Sequence, residues 1–222
     1  MSKGVYVALS GAVAQEVAVE ATAGNVANAT SPGFQRLRPV FRQALANAMG
    51  GDRNLRYVAV GRTAVDTAPG AVRATGRPLD VALPEGAYLG VSTPRVAGGQ
   101  LVGEGGQPIR PAKDGGEVRV EPDGTLWQGT NAIGKLRVVT FERPDALEHE
   151  GAGLLVGTNA GAQTVAKEPL EVGALEESNA QPVVAMTELM TATRTFEAFQ
   201  RVLDSFGEVD RKLLTTVPGA FE

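Results

Sequence analysis

Residues 25–36 read NVANATSPGFQR, and they break sharply with the small, aliphatic run from Gly4 to Ala23 that precedes them. Pro32 and Gly33 cannot continue a helix. Asn25 and Asn28 tolerate left-handed backbone geometry and offer side-chain hydrogen bonds to backbone groups that a helix end leaves free. The stretch therefore ends a helix and turns the chain in a defined direction. Phe34 is then expected to point at a neighbour, with Arg36, Arg38 and Arg42 available to acidic groups across an interface. An ordinary helix stop with a half-buried Phe would explain these residues equally well if they stood alone.

Working outward, residues 3 to about 27 predict a helix. Val5, Leu9, Val13 and Val17 recur every fourth position with Ala8, Ala12 and Ala18 beside them, giving a narrow apolar stripe that needs a partner. Gly4, Gly11 and Gly24 each weaken the isolated helix by up to ~1 kcal/mol, so packing has to order it. Residues 182 to about 214 supply the partner. Phe199, Val202, Phe206, Val209 and Leu213 follow a three-four spacing, the seam of a helix that packs in coiled-coil fashion. Met186, Met190 and Phe196 extend that apolar surface. Pro182 suits the first turn, Ser178 or Asn179 could cap it, and Pro218-Gly219 falls beyond its end.

Between the helices, Gly, Pro and Asp-Gly pairs punctuate short β-prone runs: YVAV, LDVAL, YLGVS, EVRVE, TLWQ, KLRVVTF and GLLVG. Asp114-Gly115 and Asp123-Gly124 are hairpin-turn signals. The expected fold class is α+β, with N- and C-terminal helices packed together and a mainly antiparallel β domain inserted between them. The expected division is 1–45 for the first helix and turn, 46–174 for a connector and the β domain, and 175–222 for the helix that completes the helical domain.

The chain has 222 residues, 43% hydrophobic and 21% charged, with 28 Gly and only 5% aromatics. It can bury a real core and is not the composition of a disordered chain. A formal net charge of −4 disfavours a phosphate backbone as partner, so nucleic acid is not expected. Charge is nonetheless uneven: residues 35–62 hold six Arg against Asp52, whereas residues 142–177 hold eight acids against Arg143 and Lys167. Such asymmetry suits contacts between subunits, or simply two solvated faces. No stretch approaches the ~20 apolar residues that span a bilayer. Lys3, GVYVALSGAVA and Gln15 copy the outline of a signal peptide, but an apolar run with one Leu and much Ala and Gly is too weak, and no cleaved signal is expected.

With no cysteine, disulfides, thiolate metal sites and a Cys nucleophile are excluded. His149 is the single histidine; a metal site or a hydrolytic triad would need further groups around it, and a solvated surface position is expected. GEGGQP and GAGLLVG lack phosphate-loop spacing. Glu176 and Glu177 are adjacent and would point to different sides of a regular element, which does not suit a glycosidase pair. Asn28-Ala29-Thr30 matches a glycosylation acceptor only formally. Trp127 could stack on a sugar but suits a core or interface. Catalytic, cofactor and metal residues are expected to be absent.

NVANATSPGFQR after its Ala-rich helix resembles the N-terminal signature of the flagellar basal-body rod and hook axial proteins. The matching positions are Asn25, Ala27, Asn28, Thr30, Gly33, Phe34 and Arg36. Residues 75–91, TGRPLDVALPEGAYLGV, resemble the family's lead into its β domain. LEESN, with Leu175, Glu176 and Asn179, resembles the entry to the C-terminal helix, and TATRTFEAFQRVLDSFGEVDRKL resembles that helix. The blocks occur in the family's order and cover most of the chain. The opening is most similar to proximal-rod members, with distal-rod members second. Residues 94–111, PRVAGGQLVGEGGQPIRP, replace a Tyr-Thr-Arg-x-Gly-x-Phe block usual in the family, and a shortened β domain follows.

That resemblance implies a non-enzymatic structural subunit that assembles head-to-tail with copies of itself and with other rod proteins to transmit torque. Heterologous contacts that do not close a ring generate such a filament. It also implies export through the flagellar type III apparatus without a cleaved signal peptide, a place in the basal body across the periplasmic space, and terminal segments poorly ordered before assembly. A distal-rod protein, another exported adhesin or cap-like factor, and a secreted carbohydrate-binding or hydrolytic β protein are the alternatives.

Overall fold

The structure, a computed structural model, describes residues 3–45, 56–92, 100–103, 105–112, 115–151 and 153–216. Asp52, Arg53, Asp114, most of the 94–111 replacement before Gln100, the Leu213 side chain and Pro218-Gly219 lie outside what is described. The chain forms two units. One takes residues up to Ala29, Leu37–Ala64 and Ala180 onward; the other takes Thr30–Arg36 and Val65–Asn179. The expected ranges 1–45, 46–174 and 175–222 differ from this division, because residues 37–64 group with the helices and residues 30–36 with the β unit.

The first unit contains α1 (Lys3–Ala27), β1 (Leu37–Leu45), β2 (Arg56–Val65) and α2 (Pro182–Thr216), with β1 and β2 paired as a two-stranded sheet. α1 ends where predicted: the Asn28 backbone N–H and Nδ2 both donate to the Gly24 carbonyl, at 3.1 and 2.9 Å. α2 starts behind Gln181, whose carbonyl accepts from Ala185 N at 2.9 Å. Asn179 is not its cap; the side chain is committed to other segments, described below.

The two helices run antiparallel. A Cβ on Gly4 would lie 3.0 Å from Phe206 Cζ, and one on Gly11 would lie 2.7 Å from Phe199 Cζ, so each ring occupies a notch that only glycine leaves open. One step of seven along α1 matches one step of seven back along α2. On α1 the buried positions are Ala8, Gly11, Ala12, Ala14, Ala18, Ala21, Thr22 and Asn25. This corrects the expected stripe: Leu9 and Val13 are 47% and 48% exposed. The close approach of two helices selects small side chains, and the larger aliphatic ones are displaced outward. On α2 the enclosed stripe is Ala185, Leu189, Ala192, Phe196, Phe199, Leu203 and Phe206. Val202, Val209, Met186 and Met190 lie off it and are exposed.

The second unit is built from short strands, and every strand pairing with a defined register is antiparallel. In chain order they are β3 (Val72–Ala74), β4 (Val81–Ala82), β5 (Ala87–Leu89), β6 (Val91–Ser92), β7 (Gln100–Leu101), β8 (Val118–Val120), β9 (Thr125–Gln128), β10 (Asn131–Lys135), β11 (Val138–Phe141), β12 (Glu148–Gly151), β13 (Leu154–Val156), β14 (Gln163–Val165), β15 (Glu171–Val172) and β16 (Ala174–Glu176). Two three-stranded sheets, β10-β9-β8 and β14-β11-β5, carry most of its pairing, and β16 pairs with β3. Val120, Leu126, Leu136, Val138, Ala87 and Leu170 form the buried core.

The hairpin signal at Asp123-Gly124 is met. Gly124 takes a φ of 85°, and the Asp123 carboxylate accepts from Thr125 N at 2.9 Å and Thr125 Oγ1 at 2.7 Å. The Thr125 backbone N–H is the foremost reason that the Asp123 carboxyl sits below the usual carboxylate range. Gln128, at the buried end of β9, accepts from Ala112 N and donates to Ala112 O, both at 2.8 Å, and so holds the loop before β8 where a strand would otherwise pair.

Candidate assembly site

In the first unit the deciding residue of the opening stretch is Asn25. It is 1% exposed, its Oδ1 accepts from Leu37 N at 2.7 Å and its Nδ2 donates to Leu37 O at 2.9 Å. The carboxamide thus pairs with one residue as a neighbouring strand would, and fixes where β1 begins beside α1. Only a carboxamide presents an acceptor and a donor at this spacing. Ala27, the next motif position, is exposed at the last turn of the helix.

The β unit holds the rest of the motif. Thr30 is exposed, and Gly33 turns the chain with a φ of 67° while its N–H donates to Glu176 O at 2.8 Å. Phe34 O accepts from Asn179 N at 3.2 Å. Phe34 does not project away from its own chain, as expected from sequence: its ring lies 5.4 Å from that of His149. Arg36 is likewise engaged within the chain, its Nε 2.8 Å from Asp66 Oδ2. Asn179 accepts from Arg36 N at 2.7 Å and donates to Asp66 O and Ala68 O, each at 2.8 Å. Glu176 accepts from Gly70 N at 2.7 Å, and Leu175 pairs with Arg73 in the two-stranded sheet. LEESN and the N-terminal motif therefore meet in one place, although 143 positions separate Arg36 from Asn179.

Sequence reasoning missed Gln35, Asp66, Tyr88 and His149 in this cluster. Tyr88 Oη donates to Gln35 Oε1 at 3.2 Å, and His149 Nε2 lies 3.2 Å from Gln35 O. No spacing in the sequence marks them, since they come from a connector, two strands and the motif itself. The expected solvated His149 is corrected: it is half-buried, and burial pushes its pKa below the usual value, with the Gln35 carbonyl opposing. Burial also raises the Tyr88 hydroxyl.

Protonating His149 is therefore costlier in the folded chain, and the unfolded chain binds more protons between that lowered pKa and about 6.5. Stability is complete above about pH 6.5 and declines as pH falls through the folded value. His149→Phe keeps a ring against Phe34 and is expected to flatten the dependence of the unfolding midpoint on pH just below about 6.5. Thermal unfolding across that range checks it; an unchanged slope would contradict this account of the ring.

A cleft of about 430 Å³ lies in the β unit beside Tyr88, Arg137, Phe141, Leu155, Gln163 and Glu176. Its polar groups are already paired: Arg137 Nη2 donates to Gln163 Oε1 at 3.1 Å and Glu176 holds Gly70 N. No group of three or more metal-ligating side chains occurs among the described residues. Trp127 lies on β9 under the Arg119 guanidinium, 5.8 Å from its ring centre, with Nε1 buried and unable to meet a sugar hydroxyl. No helix among the described residues is long and apolar enough to cross a membrane.

Comparison with known proteins yields one family model, described as flagellar basal body rod FlgEFG protein C-terminal, which matches residues 171–216. Several curated relatives align along nearly the whole chain. The flagellar basal-body rod protein FlgF of Mesorhizobium japonicum is 26% identical over 219 residues, covering 89% of this chain and 90% of its own. FlgF of Salmonella typhimurium is 28% identical, covering 94% and 95%. The flagellar basal-body rod protein FlgG of Bacillus subtilis is 24% identical, covering 96% and 98%. The Salmonella alignment runs over 244 positions, more than the 222 residues of this chain, so that relative carries residues lacking here.

Proposed function

We infer that this chain is a structural and non-enzymatic subunit of the flagellar basal-body rod and a member of the family of rod proteins it resembles. The observation that carries this is likeness to FlgF proteins over 89–97% of the chain, joined to a C-terminal match on α2, the helix that closes on α1. Likeness to five FlgF relatives supports the proximal rod as the first reading. The FlgG relatives leave the distal rod as the second reading.

In this reading the paired helices form a densely packed layer of the rod. The heptad step between α1 and α2 extends between subunits in coiled-coil fashion, using faces that a single chain leaves exposed. Tyr6, Leu9 and Val13 on α1, and Met186, Met190, Val202 and Val209 on α2, are such faces. Leu213 continues the α2 set in sequence. The motif of Asn25, Ala27, Asn28, Thr30, Gly33, Phe34 and Arg36 serves assembly by fixing the direction in which the chain leaves α1. Partners are copies of the chain and other rod proteins, after export by the type III apparatus without a cleaved signal, and the assembled subunit lies in the periplasmic part of the basal body.

The test uses Phe199→Glu and Phe206→Glu. Burying a carboxylate where a ring sat opposite glycine leaves it unpaired in an apolar seam, a cost of several kcal/mol. Both variants should be missing from purified hook–basal bodies examined by mass spectrometry, in cells that have lost motility, while the β unit stays folded. Normal motility with either variant would sink the reading, as would absence of the native chain from intact particles.

A further inference from the structure

The chain passes between the two units four times, and three of those passages sit beside Arg36, Asp66 and Asn179. These residues share one hydrogen-bonded cluster on the β-unit side. Arg36 Nε donates to Asp66 Oδ2 at 2.8 Å, and Asp66 N donates to Arg36 O at 2.9 Å. The Asn179 carboxamide accepts from Arg36 N and donates to the Asp66 and Ala68 carbonyls, while Asp66 Oδ1 accepts from Ala68 N at 3.3 Å. Both Asn179 amide hydrogens are spent on carbonyls of a segment 111–113 positions away, and its oxygen on one 143 positions away.

We propose that Arg36, Asp66 and Asn179 act as a buckle, positioning residues that fasten three chain passages together and clip residues 30–36 into the β unit only once residue 179 has arrived. Within the strap of 30–36, Phe34 N donates to Ser31 O at 3.2 Å. Its backbone is anchored at a distance: Gly33 to Glu176 and Phe34 to Asn179 on one far segment, and Arg36 O to Asp66 N on another. A strap held mainly by distant groups cannot order before they are in place. The buckle is a property of this chain whichever assembly it joins.

The test is amide hydrogen exchange on the full-length chain, read by mass spectrometry on the peptide spanning residues 30–37. In Asn179→Ala this peptide is expected to exchange at least tenfold faster than in the native chain, with peptides from β9 and β11 unchanged. Asp66→Ala is expected to do the same, and the double variant to be no more than about twofold faster than the faster single one, because either change alone opens the buckle. An unchanged strap in Asn179→Ala, or effects that multiply in the double variant, would overturn the proposal. Should Asn179→Ala also lose protection in β9 and β11, Asn179→Asp decides. It keeps the acceptor for Arg36 N and loses both donors, so a strap that exchanges faster alone supports the buckle and an unchanged strap overturns it.

Discussion

Valine at position 11 is expected to separate α1 from α2. A Cβ at Gly11 falls within 2.7 Å of Phe199 Cζ and 3.1 Å of Cδ1, inside any tolerable carbon–carbon contact, and valine adds two more methyl groups. Overpacking of this kind costs about 1–3 kcal/mol where the surroundings can shift. Here the obstructing group is a ring held in the seam, so the upper end applies. Removing a helical glycine works the other way, by up to ~1 kcal/mol, and is too small to compensate. Gly24 is the control, because a Cβ there meets nothing within 4 Å. Gly24→Ala should hold or raise the unfolding midpoint, whereas Gly11→Val should lower it and abolish rod incorporation. Urea unfolding followed by circular dichroism, with motility of complemented cells, separates the two. Equal midpoints would mean that the notch is not what admits Phe199.

Asn25→Leu is the second large effect. Leucine has the heavy-atom count and branching of asparagine but can neither accept from Leu37 N nor donate to Leu37 O. Each backbone group left unsatisfied costs roughly 1–3 kcal/mol, so a loss of about 2–6 kcal/mol is expected for the pair. The damage should be local, with hydrogen exchange accelerated first at the start of β1. A midpoint within ~0.5 kcal/mol of the native value would show that water replaces the carboxamide and that its burial is not structural.

Much of the architecture could be read before the structure because its determinants are local. The long Ala-rich and Phe-rich periodicities gave both helices nearly to the residue, and Asp123-Gly124 gave its hairpin through turn chemistry. LRPVFRQAL was not recognised as β1: Pro39 interrupts it, and what makes it a strand is its pairing with β2. The helix faces were misjudged for a different reason. Larger aliphatic residues were taken for the contact, when the contact is made by Ala and Gly against rings whose size only a partner helix reveals. At the candidate site, Asn25, Gly33 and Asn179 stand out in sequence; Asp66 and Gln35 do not, and nothing in sequence joins Tyr88 or the single His149 to them. Their roles depend on closures over long separations, which no window of sequence contains.

Four covalent passages join the helical unit to the β unit. A pull applied to one unit is thereby divided over several polypeptide segments loaded in parallel, instead of resting on one linker. A single proteolytic cut in any of them leaves the others to carry the load, so such a nick should be silent in a spinning cell. It also follows that neither unit is a single continuous stretch of sequence. A fragment of residues 30–179 holds the whole β unit only by carrying residues 37–64 of the helical unit with it, and any single cut splits the helical unit.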